Sequence, residues 1–547
     1  MQVDLIIESE RVFTGTSSSA TPGAVAVSGD RIVAAGPQDD VRAFAAQANT
    51  GVGSPEIHNF GDALVVPGFH DSHLHFFHSA VYSSPLATTF LGENEADCVA
   101  RMQRLAERRP SGWLLAQGWR EYRWNPPLLP SKHSLDQAFP DRPVALYSGD
   151  AHTLWLNSTA LSELGVQRDS IPPAGGAYDR DEFGEPTGIV RESAAMELMP
   201  KIMGAFTDDE TTQAYRGFLA RLAKNGVTSV CDLSLMASPG LDFVRDDVHA
   251  ALLARDELTA RVHLFPTLTD DLGRFEGMRK RYTGPMLQAA GFKQFFDGVS
   301  SQHTAWLTEP YTNARFAEDC GRPTVNASVM RTYVLAAAEK GYPVRIHTIG
   351  DAAIHAALDI LEEARCRFGA LPNGRRNCLE HGENFLPSDL GRLAELQVVA
   401  AVQPPHMTLD PGGPERDLGP ERTTYAWPLR TLLDKSTVLA FGTDSPVVDV
   451  NSMNVLYSAV TRQDPTTHEP AGGWLPDERI GMPEALRAYT QGSAAAAGRR
   501  RELGTLAPGM LADIAVLDHD LLTCAAEDIQ KTHVLATFTG GACVFER

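Results

Sequence analysis

The chain has 547 residues, enough for a large core and more than one structural unit. Its 69 acidic against 48 basic residues leave a formal charge of −21, a field that repels nucleic acid and anionic lipid and so sets polyanion binding aside. Hydrophobic residues at 43% and charged residues at 21% are ordinary for a soluble globular enzyme.

From the N-terminus, residues 1–10 carry Asp4, Glu8 and Glu10 around a short apolar run. A secretory leader needs a basic start and about 7–15 apolar residues instead. No stretch approaches the roughly 18 apolar residues of a membrane span. The cysteines are odd in number and scattered without C-x-x-C spacing, which argues against a disulfide framework or a thiolate zinc site. The chain therefore reads as cytoplasmic. Within residues 1–66, Val3, Leu5 and Ile7 alternate, and apolar runs at 24–27 and 32–35 flank Ser28-Gly29-Asp30-Arg31, a tight hairpin signal. The tail, residues 503–547, repeats this texture at 513–517 and 534–538. Neither end has enough strands for a stable sheet alone, so the two together are predicted to form one small composite β-sandwich domain.

Between the ends, residues 67–502 alternate strand-like runs with helical patterns, the rhythm of a parallel sheet with crossover helices. The strand candidates are 63–69, 227–233, 262–268, 292–296, 344–346, 378–380, 398–402 and 438–441. Asp351 is placed to cap a helix whose apolar face holds Ile354, Leu358 and Leu361 and which ends near Gly369. Met330, Val334, Leu335 and Ala338 mark another helix before Gly341. Eight such strands predict an α/β fold of the (β/α)8 TIM-barrel type. Residues 81–222 interrupt the rhythm as a large insertion after strand one. It holds Trp113, Trp119, Trp124 and Trp155, of which Trp113, Trp119 and Trp124 either pack a core or line an apolar pocket.

The strand ends carry ligand types. Pro67-Gly68-Phe69-His70-Asp71-Ser72-His73-Leu74-His75 follows the first apolar run, and residues two apart on a strand point to one side. His73 and His75 can thus face a single ion, for which neutral imidazole is a common ligand. Lys293 sits in an apolar run where an ammonium ion is costly to bury, so it needs either a carboxylate partner or conversion by CO2 into an anionic carbamate. His347 and His381 end strands five and six, and Asp444 follows strand eight. His406, after Gln403-Pro404-Pro405 at the end of strand seven, also faces the mouth, as a substrate contact or a support for the ligands. Residues at the C-terminal ends of barrel strands converge on one mouth, so these side chains are expected to share a site.

The order H-x-H, strand-four Lys, two single histidines and a late Asp resembles the amidohydrolase superfamily. More narrowly, the chain is similar to the amidohydrolase-3 group, which includes N-substituted formamide deformylases. The supporting stretches are residues 66–73, 150–158 and 504–513, and the resemblance spans essentially the whole chain. It implies that His73, His75, Lys293 and Asp444 surround one divalent metal, and that Lys293 as carbamate, His347 and His381 surround a second. Zinc is the default ion, one or two per chain, although such ligands also accept Fe, Mn, Co or Ni.

The resemblance further implies hydrolysis of a non-peptide C–N bond in a small apolar or aromatic substrate. A metal-bound hydroxide attacks the carbonyl, and Asp444 shuttles the proton to the leaving nitrogen. His152 is a candidate catalytic or oxyanion contact from the insertion, or else holds the turn at 155–157. Two departures fall in regions expected to touch substrate. Gln302-His303 stand where the group has small residues and an arginine, and Arg120 precedes Glu121 after Gly118-Trp119. Trp119, His303 and His406 are therefore candidate substrate contacts. The same scaffold also runs ester or lactone hydrolysis, decarboxylation or isomerisation, and a non-catalytic metal-binding regulator is the alternative of a different class. A homodimer is the base-rate expectation for assembly.

Overall fold

The computed structural model describes residues 2–50, 53–149, 153–173, 176–235, 242–410 and 412–547. They form two compact units, Met1–Phe76 with Leu219–Arg547, and Phe77–Phe218.

In the first unit, eight parallel strands run in chain order. Phe69–Leu74, Val227–Leu233 and Arg261–Phe265 belong to one sheet, with the short Leu287–Ala289 at its margin. Phe292–Phe295, Val344–Thr348, Cys378–His381, Val399–Val402 and Val438–Phe441 form the other. Parallel bridges between Thr267 and Lys293 and between Leu74 and Ser445 link the two sheets at both margins. This is an α/β arrangement of the TIM-barrel type, and the eight strands are numbered one to eight below.

Strand one departs from the sequence expectation of 63–69. Leu64–Pro67 pairs antiparallel with Ile514–Leu517 of the tail, and the barrel strand begins only at Phe69. The switch falls at Pro67-Gly68. Gly68 N–H still donates to Asp513 O, whereas Phe69 N–H donates to Gly226 O beside strand two. A side chain at Gly68 would lie 2.3 Å from Thr228 Oγ1, so the chain needs glycine to pass there. His73 is consequently within the strand, and His75 lies just beyond it.

The helices follow their apolar periodicity. Asp351–Phe368 buries Ile354, Leu358 and Leu361, and Ala327–Glu339 buries Met330 and Val334. Asp351 does not cap its helix, because Gly350 occupies that position; the carboxylate instead accepts hydrogen bonds from Thr308 N–H and Oγ1.

Strands from both chain ends pair into one eight-stranded sheet, in which Ile514–Leu517 joins the tail to Leu64–Pro67. One face packs Leu5, Ile7, Val25, Val27, Val65, Ile514, Val516 and Phe538. The other lays Val3, Ile6, Ala24 and Ala26 against Val41 and Ala45 of the helix Gln38–Ala48. The predicted hairpin joins Thr21–Ser28 to Arg31–Gly36, with Gly29 at φ 59° in the turn.

The second unit is built on a six-stranded sheet with a core of Leu114, Ala116, Trp119, Trp124, Leu146 and Trp155. The indole N–H groups of Trp119, Trp124 and Trp155 donate to Leu146 O, Gly92 O and Ser131 O. Trp119 is 1% exposed and packs in the core of this unit. Among the described residues no helix is long and apolar enough to cross a membrane.

Candidate metal centre

Two strand ends make the centre, those of strands one and eight. His73 Nε2 and His75 Nε2 lie 3.3 and 3.0 Å from Asp444 Oδ1, and the three ligand atoms fall within 4.8 Å of one another. The backbone fixes this approach. Asp444 N–H donates to His73 O at 2.6 Å, and His75 N–H donates to Ser445 O at 2.9 Å. Asp71 clamps both segments: Oδ1 accepts from His73 N–H and Thr443 N–H, and Oδ2 accepts from Thr443 Oγ1. Asp444 and His381 hold φ of 56° and 68°, a left-handed conformation rare for residues with side chains and typical of functional positions.

The far nitrogen of each imidazole is already spent. His73 Nδ1 is 2.7 Å from Glu380 Oε2, while Glu380 Oε1 accepts from Arg345 Nε at 2.6 Å. His75 Nδ1–H donates to Leu233 O, and His381 Nδ1 is 2.8 Å from Gln403 Oε1. Ligating histidines are oriented in this way, with one ring N–H on a carboxylate or carbonyl and the other nitrogen presented to the ion. His73 Nε2 and Asp444 Oδ1 are buried without a hydrogen-bond partner. Such orphaned polar atoms are costly unless a cation satisfies them, so the donor set fits a divalent metal.

The electrostatics agree. Burial, reinforced by the Lys293 charge, pulls His73 down to about 4 and His347 down to about 3, and burial with His347 pulls His381 well below its ordinary value. These imidazoles are therefore neutral near pH 7, as ligation requires. Burial pushes Asp444 upward, but His73 and His75 outweigh it and hold the carboxyl well below the usual range. Burial works against ionised Glu380 too, yet Arg345 and His73 hold it down at about 2.

The remaining sequence candidates divide. His381, His406 and Asp444 form a second group within 4.8 Å, which places His406 with the ligand types. His347 belongs to neither group. Its ring packs 4.3 Å from that of His381, its Nε2 is 3.2 Å from Gly298 O, and its Nδ1 lacks a partner. Lys293 Nζ is buried without a carboxylate partner, 4.7 Å over the Phe295 ring, and burial brings it down to about 8. His303 stacks on Tyr311 with its Nδ1 2.6 Å from Asp319, which commits one face and one nitrogen to the loop. His152 lies outside the described residues.

Glu380, Arg345, Gln403 and Asp71 were not singled out from sequence. The available signal was a charged residue inside an apolar strand, as in Val344-Arg345-Ile346 and Leu379-Glu380-His381. A third cluster, His70 with Cys231 and His263, is also buried. There His263 Nδ1 faces Val230 O and Nε2 faces Arg499, and the nearby cations Arg345 and Arg499 oppose an added positive charge.

A family model described as Amidohydrolase family matches residues 57–545. The chain is 29% identical to Protein LONG AFTER FAR-RED 3 of Arabidopsis thaliana, over 98% of this chain and 91% of that protein. It is 26% identical to N-substituted formamide deformylase of Arthrobacter pascens, over 100% of this chain and 98% of that one. Among solved structures, an uncharacterized metal-dependent hydrolase from Pyrococcus horikoshii OT3 is similar at TM-score 0.78 and 22% identity. It covers 96% of this chain and 99% of its own, a likeness of fold.

Proposed function

This chain belongs to the amidohydrolase family, and on that premise we propose that it is a metal-dependent hydrolase cleaving an amide, N-formyl or N-acyl C–N bond of a small molecule. The observation that carries this reading is the convergence of His73, His75 and Asp444 with their Nδ1 atoms tied back and their inner atoms within 4.8 Å. Two imidazoles and a carboxylate suit a catalytic ion with open positions, zinc by default. When bound, such an ion lowers the pKa of a water from about 15.7 towards about 7 and polarises a carbonyl.

His73, His75 and Asp444 would hold that ion, and His381 and His406 offer the nearest further nitrogens. Lys293, buried, partnerless and about half neutral at pH 8, suits carboxylation by CO2. As a carbamate it would add a second anion to the set, with His347 and His381 as further ligands for a second ion. Asp444 handles the proton: ionised beside the attacking water, it accepts a proton and returns it to the leaving nitrogen. An amide needs that return because an unprotonated amine leaves poorly.

The test is metal analysis of the purified protein, followed by a panel of N-formyl and N-acyl amines. Amine and acid are expected to appear together. Turnover confined to esters or lactones would transfer the reading to that chemistry, and no turnover of any substrate by metal-loaded protein would favour a regulator.

A further inference from the structure

The N-terminal end of the barrel strands, opposite the histidines, carries a second cavity. Gly341 precedes strand five, Arg375-Arg376-Asn377 lead into strand six and Val398 leads into strand seven. These segments and the end of the helix Asp351–Phe368 line a half-open cavity of about 290 Å³. That volume is near the lower end of small-molecule sites, which run from about 300 Å³ upward. The cavity's exposed lining is mainly polar, with Phe368 and Leu396 as the apolar contributors at its edge. His347 and His381 sit at the other ends of strands five and six, so this cavity is separate from the metal centre.

Its charge sets it apart from the rest of an acidic chain. Lys340, Arg365, Arg375 and Arg376 line it against one carboxylate, Glu339. Among the described residues, none of these four cations has an ion-pair partner or a side-chain hydrogen bond. Nearby arginines behave differently: Arg367 and Arg331 share Glu363, and Arg392 reaches Asp359, Glu362 and Asp389. Carboxylates are thus available along this helix, yet Arg365 is left without one. Burial draws both guanidinium groups down from their ordinary value, and like charge adds to it, from Arg279 and Arg499 for Arg375 and from Arg500 for Arg376. Desolvated like charges cost free energy unless a counter-ion arrives. A planar guanidinium fork matches phosphate and carboxylate oxygens.

We propose that this cavity is a binding site for a small multivalent oxyanion of the phosphate-ester class, held by Arg375 and Arg376 with Arg365 and Lys340 around it. The apolar edge takes the organic part of the ligand.

The test is calorimetric titration of the full, chelator-treated chain with inorganic phosphate and with pyrophosphate at constant ionic strength. Saturable binding is expected, at least tenfold tighter for pyrophosphate, and weakened at least tenfold in the double variant R375Q/R376Q. Arg365→Gln, at a helix end where folding tolerates change, is expected to weaken it several-fold, and Asp444→Asn is expected to leave it unchanged. Absence of saturable binding, persistence in both arginine variants, or loss in Asp444→Asn would each overturn the proposal.

Discussion

At the residue scale, the question for each imidazole is which nitrogen is still free. Leu233 O holds Nδ1 of His75, and Glu380 holds Nδ1 of His73, so both rings turn Nε2 towards Asp444. Replacing Asp444 by Asn keeps an oxygen ligand and removes the base. Turnover is expected to fall at least about 100-fold, the usual worth of general acid–base catalysis, while metal content measured by atomic emission stays near wild type. Glu380→Gln weakens the grip on His73, and metal affinity is expected to drop by about 10–100-fold in a competition assay with a chromogenic chelator.

The same glutamate has a signature in pH. Its folded value of about 2 lies below the ordinary 4.5 of an unfolded chain. Its contribution is therefore complete above about pH 4.5 and is lost as pH falls towards 2. Metal-free wild type is expected to lose roughly 2–3 kcal/mol more than Glu380→Gln between about pH 5 and pH 2.5, read from urea midpoints. Equal losses would remove Glu380 from that role.

At the element scale, strands eight and one approach so closely that residue 442 must lack a side chain. A Cβ there would lie 2.5 Å from His73 N and 3.0 Å from Asp71 Oδ1. Gly442→Ala is expected to push the two ligand-bearing segments apart. Metal affinity should fall well before the far-UV circular dichroism changes, which equilibrium dialysis against zinc would check.

This scale also shows what was readable beforehand. The strand cores were legible because apolar runs separated by helical patterns mark a parallel sheet. His73, His75, His381 and Asp444 were legible because they are ligand types at the ends of such runs. The start of strand one was not, since a continuous run from Ala63 to Phe69 conceals a change of hydrogen-bonding partner at Pro67-Gly68. Glu380 and Arg345 were missed because each looks like an isolated charge in its own strand, and their meaning comes from a contact made 307 residues away in the chain. The placement of His406 beside His381 and Asp444 likewise depends on the turn after strand seven, which periodicity does not describe.

At the scale of the molecule, the tail is tied to the barrel. Asp513, which precedes the tail strand Ile514–Leu517, accepts two hydrogen bonds from Arg261 of strand three, both at 2.8 Å, with the pair buried. Removing one partner leaves a buried charge, so Asp513→Ala is expected to cost about 3–5 kcal/mol in denaturant unfolding. A loss below about 1 kcal/mol would mean that the two parts are held by apolar packing alone.

The central proposal is one cation held by residues from strands one and eight. The most direct measurement is anomalous X-ray diffraction from crystals of the metal-loaded protein. A peak about 2.0–2.2 Å from His73 Nε2, His75 Nε2 and an Asp444 carboxylate oxygen is the expected result. A peak among His70, Cys231 and His263, or none above background in protein shown to contain metal, would contradict it.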